Sequence, residues 1–370
     1  MSWDKPESLL ERAVYNGLLP ASVLYGIGSY IRTAGYSIGA FRRTKLPATV
    51  ISVGNMSTGG TGKTPVTIDL ARRLVAAGHK VAVLSRGYKR QSAAPHVVVS
   101  DGKQVLVACR EAGDEPFLIA QSVPEAVVIV GADRSSSGQL AIDQFGAQVI
   151  LLDDGFQHIK LKRDRDIVLI DYLDDLEHAT LLPAGRLREP LSALGRASSI
   201  VISKVPVGCD AEQMSRISKT IRRYNKTADI SFCQFKPDSA HNLRGHRVFA
   251  FCGIAKPKPF FDSLDQLGAN VIKQQAFADH YWYTPQDLAQ IEALARKLKA
   301  DLLVTTEKDL VRFSGNDQMS CPIVTIRQET NWLGDLPQAV ADLATPGLIG
   351  QVVSNRGEEP VTANGGQRRS

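Results

Sequence analysis

The chain has 370 residues, 44% hydrophobic and 22% charged, which excludes a disordered or fibrous protein and suggests about two domains. Its 44 Lys and Arg against 38 Asp and Glu give a net charge of +6, which suits an anionic ligand or a membrane surface. With aromatics at only 6%, no nucleic-acid partner is expected, and five scattered cysteines without C-x-x-C spacing argue against a zinc cluster or a disulfide framework.

The opening MSWDKPESLL lacks the basic leader and apolar run of a secretory signal. Between Ala13 and Ile31 no residue is charged, yet Gly17, Pro20, Gly26 and Gly28 make a poor spanning helix. Basic residues flank it: Arg12, Arg32, Arg42, Arg43 and Lys45. The segment 1–46 therefore reads as an interfacial helix or helix pair on anionic lipid, in preference to a helix packed on the protein's own core.

From residue 48 the pattern becomes α/β. Apolar runs at 48–53, 80–84, 126–130, 148–152, 166–170 and 199–202 read as strands buried on both faces of a parallel sheet. Helical segments such as 65–77 and 135–145 lie between them. Residues 96–99 and 104–107 bracket Ser100-Asp101-Gly102-Lys103 and read as a small hairpin. A second αβ unit is expected after about residue 225, beginning with strands at 230–235 and 246–251 and continuing through 259–267, 270–273, 285–298, 301–305 and 321–326. The tail from Thr345 is expected to be disordered.

The strongest local signal is ISVGNMSTGGTGKTP, an apolar strand running into a glycine-rich turn and then a helix. That is the context of a P-loop, in which backbone N–H groups and a helix N-terminus hold phosphate. Residues Ser57 to Thr64 (Ser57, Thr58, Gly59, Gly60, Thr61, Gly62, Lys63, Thr64) form the candidate nucleotide site. Lys63 can reach the β- and γ-phosphates, and the Thr64 hydroxyl can ligate Mg²⁺. Ser57 stands where the general pattern has glycine, and Gly59 and Gly60 supply the flexibility instead. The strand 149–152 ends in Asp153 and Asp154, an acidic pair suited to holding Mg²⁺ directly or through water.

A P-loop does not fix the reaction. Four clusters follow strand or helix ends, where α/β sheets bind ligands: Ser85-Arg86-Gly87-Tyr88, Gly113-Asp114-Glu115-Pro116, Gly131-Ala132-Asp133-Arg134 and Gly155-Phe156-Gln157-His158. A fifth, 182–190, carries Arg186, Arg188 and Glu189. Phosphoryl transfer to an alcohol needs an acceptor for the hydroxyl proton, for which Asp114 and Asp154 are candidates, and positive charge on the phosphoryl oxygens, for which Arg134, Arg186 and Arg188 are candidates. His280 also lies in the second unit. GTP specificity is unsupported, because neither Ser203-Lys204 nor residues 306–309 give N/T-K-x-D.

The ordered set ISVGNMSTGGTGKTP, LSRGYKR, GDEP, VGADR, LLDDGFQH, DIVLID, LLPAGRLREP, FCGIAKP and FADHYWY resembles the tetraacyldisaccharide 4′-kinases of lipid A biosynthesis over roughly residues 10–340. The resemblance implies a kinase using ATP and Mg²⁺ that phosphorylates the 4′-hydroxyl of tetraacyldisaccharide 1-phosphate, giving lipid IVA. It implies a monotopic protein on the cytoplasmic face of a Gram-negative inner membrane; no obligate protein partner is expected. It also implies a P-loop domain (47–225), a two-stranded linker (226–247) and a smaller α/β domain (248–344), followed by the tail 345–370. Carried over by motif, Asp114 is the base and His280 assists it, Lys63 and Thr64 keep their phosphate and metal roles, and Asp153 and Asp154 serve the metal. Arg134, Gln157, His158, Arg188 and Glu189 become substrate contacts. A P-loop ATPase switch at a membrane is the alternative, but it leaves GRLRE and the second-unit histidine without a role.

Overall fold

The computed structural model describes residues 8–313 and 319–344, so the tail expected from Thr345 lies outside the described residues. Helix α1 (Leu9–Ser37) is one continuous helix rather than a pair. Ser8 caps it by accepting from Glu11 N at 3.1 Å, while the Glu11 carboxylate reciprocates to Ser8 N at 3.2 Å. Ser22 is its one buried residue; Leu9, Leu10, Leu24, Ile27, Tyr30 and Ile31 are all exposed. Among the described residues no helix is long and apolar enough to cross a membrane.

The first lobe then runs β1 (Thr49–Asn55), α2 (Lys63–Ala76), β2 (Val81–Ser85), β3 (His96–Asp101), α3 (Cys109–Ala112), α4 (Asp114–Ser122), β4 (Val127–Gly131), α5 (Arg134–Phe145), β5 (Val149–Asp153), β6 (Arg165–Asp171), β7 (Ser199–Ser203) and α6 (Ala211–Tyr224). The second contains β8 (Asp229–Ser239), β9 (Arg247–Cys252), α7 (Pro257–Gln266), β10 (Asn270–Ala276), α8 (Pro285–Leu298), β11 (Leu302–Thr306), α9 (Glu307–Leu310) and β12 (Ile323–Trp332), after which α10 (Gln338–Ala344) closes the described chain.

The strands form one 12-stranded sheet in the order β10-β9-β11-β12-β8-β7-β6-β1-β5-β2-β4-β3. Every residue of β2, β4, β5 and β7 is buried, the burial that their unbroken apolar runs require. Central β1 pairs in parallel with β5 and β6, with Val53 opposite Asp153. That register places the acidic end of β5 beside the glycine-rich loop leaving β1.

The expected hairpin is only half formed. Its first arm, β3, pairs antiparallel with β4, while its second arm contributes an isolated bridge between Ser100 and Val105. Pairing with buried β4 gives β3 a full ladder, and α3 begins at Cys109 before a second strand can extend.

Between the lobes, β8 first pairs in parallel with β7 and then, from Cys233 to Ser239, antiparallel with β12. The ribbon joining the lobes is thus β8 with β12, not two strands within 226–247. The apolar strand at 246–251 is instead β9, flanked by β10 and β11, where both its faces find cover. The polar and half-buried residues of β8 and β12 tolerate the ribbon position. Helix α10 returns to the first lobe: Ala339, Val340 and Leu343 join its core, and Arg165 donates to the carbonyls of Gln338 and Ala339 at 3.0 and 2.8 Å.

Candidate active site

A cleft of about 2200 Å³ opens between the lobes, bounded by the glycine-rich loop on one side and residues of the second lobe on the other. Asn55 at the end of β1 fastens the loop by donating from Nδ2 to Thr61 Oγ1 at 3.1 Å. Gly62 caps α2 in the left-handed region, with φ +84°, and a Cβ there would fall 2.1 Å from the Phe235 ring of the ribbon. Backbone strain and close approach both require glycine there. Gly59, Gly60, Thr61, Gly62, Lys63 and Thr64 line the cleft.

Ser57 and Thr58 do not line it. Ser57 is buried and donates to Asp174 Oδ2 at 3.3 Å. Thr58 exchanges bonds with Arg186: its N–H donates to the Arg186 carbonyl at 2.7 Å, and the Arg186 guanidinium donates to the Thr58 carbonyl at 2.9 Å. These two residues, with Arg186, shape the loop from behind. Lys204 does the same from the end of β7, binding the Gly60 carbonyl and, at 2.6 Å, Asp171.

The adjacent carboxylates differ sharply. Asp153 is 3% exposed, its Oδ1 accepts from Thr67 Oγ1 at 3.4 Å, and among the described residues no cation lies at ion-pair distance. Burial, then the charges of Glu115 and Asp154, push it up to about 7. At Asp154 burial also opposes charge, but Lys63, 3.7 Å away, and Arg188, at 2.8 Å, more than offset it and hold the carboxyl below its ordinary value.

A buried carboxylate without a cation at ion-pair distance and the buried Thr64 hydroxyl, both lining the cleft, form a donor set that fits Mg²⁺. Among the described residues no group of three or more His, Cys, Asp or Glu could hold a metal alone. A cation here would complete its shell with phosphate oxygens and water, as Mg²⁺ commonly does.

Arg134, Gln157, His158 and Arg188 also line the cleft. Arg134 is 6% exposed, and its Nε has no partner among the described residues. Burial, then nearby Arg86, lowers the pKa of its guanidinium. His158 is pushed down to about 4 by burial and by Arg134, so its imidazole is neutral near pH 7. Gln157 Nε2 donates to the Asn55 carbonyl at 2.9 Å, and the Gln157 carbonyl accepts from Arg32 of α1. Tyr25 of α1 donates to the Arg188 carbonyl at 2.9 Å. Glu189 turns away from the cleft: it is buried and accepts from Arg196 at 2.8 Å.

Where the two lobes meet, Gly113 turns the chain with φ +91° and Asp114 opens α4. Its Oδ2 lies 2.9 Å from His280 Nδ1 of the second lobe. The same oxygen accepts from Arg312 Nε at 3.1 Å. Burial works against the Asp114 charge, but His280 and Arg312 outweigh it and hold the carboxyl well below the usual range. Next door, Lys308 Nζ bonds Glu115 Oε1 at 2.6 Å.

The sequence brings Asp114 and His280 into consideration by motif, and the structure places them in contact. Arg312 and Lys308 escaped notice. Lys308 lies in residues 306–309, read above only as a failed guanine motif, and Arg312 lies three residues beyond; the apolar strand leading into clustered charges was the available signal.

Residues 15–345 match the family described as "Tetraacyldisaccharide-1-P 4'-kinase". The "Tetraacyldisaccharide 4'-kinase" of Pelobacter propionicus is 40% identical over 309 residues, covering 83% of this chain and 86% of that one. The protein of that name from Syntrophus aciditrophicus is 40% identical over 337 residues, covering 86% and 90%. A crystal structure of LpxK from Aquifex aeolicus in complex with ATP superposes with a TM-score of 0.69 at 32% identity, covering 86% of this chain and 95% of that one.

Proposed function

The chain belongs to the tetraacyldisaccharide-1-P 4′-kinase family, and we propose that its cleft moves the γ-phosphoryl group of ATP to the sugar 4′-hydroxyl with Asp114 as the proton acceptor. One observation carries this assignment: a carboxylate on the wall of the phosphate-loop lobe receives a histidine of the other lobe at 2.9 Å. The N–H groups of Gly59 to Thr64 and the Lys63 ammonium hold the phosphates. Thr64 and Asp153 would hold Mg²⁺, which supplies charge neutralisation on the phosphate oxygens when bound. Arg134 and Arg188 offer guanidinium groups to phosphate oxygens.

Phosphoryl transfer passes through a loose transition state in most analyses, so the acceptor hydroxyl keeps its proton until late. A strong base is unnecessary. A carboxylate held ionised, such as Asp114, orients the hydroxyl and takes the proton as the bond to phosphorus forms. His280 steadies that carboxylate through Nδ1.

The acyl chains of the acceptor call for a lipid surface. Helix α1 presents Leu24, Ile27, Tyr30 and Ile31 outward, and its hydrogen bonds to the Arg188 and Gln157 carbonyls tie it to the rim of the cleft. An apolar helix with basic flanks of this kind docks at the interface, here the cytoplasmic face of the inner membrane, with anionic lipid meeting the surrounding basic residues.

Transfer of labelled γ-phosphate to tetraacyldisaccharide 1-phosphate in micelles tests the chemistry. Labelling should need the lipid and fall by about 10²–10⁴ in Asp114→Ala. Lipid-indifferent hydrolysis, or normal turnover in that variant, would remove the assignment. For the membrane, Leu24→Glu with Ile27→Glu should cost flotation with anionic vesicles while micellar turnover persists.

A further inference from the structure

Among the described residues Arg312 is the largest fully buried side chain, and it belongs to none of the motifs that carry the family likeness. Its guanidinium is engaged on both edges. Nε and one terminal nitrogen bond Asp114 Oδ2, the former at 3.1 Å. The other terminal nitrogen donates to the Gly253 carbonyl at 2.8 Å and to Asp309 Oδ1 at 3.2 Å.

This back edge is itself fixed. Asp309 is fully buried and accepts from Gly253 N at 2.9 Å, Tyr283 OH at 3.1 Å and Thr306 Oγ1 at 2.6 Å. The Gly253 carbonyl that holds Arg312 also accepts the backbone N–H of His280 at 3.1 Å. One peptide carbonyl therefore ties together the two side chains that meet at Asp114.

The division of bonds on Asp114 is uneven. Both second-lobe donors reach Oδ2, whereas Oδ1 accepts the Glu115 N–H of its own helix at 3.1 Å. Neutralising a buried arginine within the second lobe required no more than Asp309, and a buried guanidinium is expensive to desolvate. The front edge of the fork instead crosses to the other lobe and lands on the proposed base.

We propose that Arg312 is a positioning residue for phosphoryl transfer: with His280 it clamps Oδ2 of Asp114, fixing the carboxylate so that Oδ1 is left for the acceptor hydroxyl. This role presupposes Asp114 as the base proposed above.

The test compares kcat and the KM for ATP in full-length Arg312→Gln, Arg312→Lys, Asp114→Asn and the Asp114→Asn/Arg312→Gln double variant, with the lipid in micelles. Arg312→Gln should lose about a hundredfold in kcat, the scale of misplacing a reacting group by an ångström, with KM for ATP unchanged. Arg312→Lys keeps the charge without the fork and should recover part of the loss. On the Asp114→Asn background, Arg312→Gln should cost nothing more.

Wild-type kcat in Arg312→Gln would overturn the clamp, as would losses that multiply in the double variant with a raised KM for ATP, the mark of general loosening. If Arg312→Gln does not fold, wild-type kcat in Arg312→Lys overturns it, and a reduced kcat with an unchanged KM for ATP supports it. Normal turnover in Asp114→Asn sinks the base and the clamp together; an inactive Asp114→Asn beside a normal Arg312→Gln sinks the clamp alone.

Discussion

On the phosphate-loop wall of the cleft, the functional groups come from the ends of two strands that are hydrogen-bonded neighbours, β1 and β5. On the wall where the lobes meet, first-lobe Asp114 touches His280 and Arg312 of the second lobe across 166 and 198 residues of sequence. The same residue type behaves in opposite ways on the two walls. Asp153 is buried without a cation and resists ionisation; Asp114 is buried against two donors and is held ionised. The first carboxylate is built to receive positive charge, the second to keep its own negative charge in place.

The largest expected separation between the walls is kinetic. Lys63→Ala removes a cation from the phosphate-loop wall, and should lower turnover by about 10²–10³-fold while raising the KM for ATP. Substitution of Asp114 should spare the KM for ATP, because its contacts lie with the other lobe. Steady-state kinetics with ATP varied at saturating lipid checks both, and a raised KM for ATP in Asp114→Asn would erase the distinction.

Stability should separate the walls next. Asp114→Asn leaves the buried Arg312 without its cross-lobe carboxylate, at a cost of about 3 kcal/mol. The sign with pH follows from the lowered carboxyl: the contribution is present above the unfolded value near 4 and is lost as pH falls. Asp153→Asn should do the reverse in magnesium-free protein. A folded value of about 7 against an ordinary 3.8 means that Asp153 costs stability progressively from about pH 4 and fully above about pH 7. The variant should therefore melt about 2–4 °C higher than the parent at pH 8, with the gap narrowing below pH 7 and closing only toward pH 4, where the unfolded chain is protonated as well. Thermal unfolding of both variants across that pH range checks the pair of signs.

This contrast also explains what the sequence could disclose. The phosphate loop and the acidic end of β5 were legible because strand, turn and helix lie in one run of chain, and because a buried parallel strand announces itself by unbroken apolar residues. Arg312 was not legible. Its burial depends on Asp309 and Gly253, and its meaning depends on a lobe joined through β8 and β12, whose pairing links residues 233–239 to 326–332. No local periodicity encodes that register. Glu189 shows the opposite failure: it sits inside the conspicuous motif GRLRE, yet its carboxylate turns from the cleft to Arg196. A motif marks where the chain matters, and the geometry then decides which of its side chains faces the cleft.

His158 supplies the smallest and most specific test. Its imidazole lies on the phosphate-loop wall, pushed down to about 4 by burial and by Arg134, far from the ordinary value near 6.5. A base with a lowered folded value favours folding above 6.5 and loses that contribution as pH falls toward 4. Between pH 8 and pH 5.5 the ring should therefore stay neutral, and its carbon-bound proton signals should hold still in a titration followed by NMR. Binding of a phosphate-bearing ligand beside Arg134 weakens the repulsion that keeps the proton off. The same signals should then begin to move at higher pH. A midpoint near 6.5 in the free protein would mean that Arg134 points elsewhere in solution, and the cationic part of the first wall would have to be redrawn.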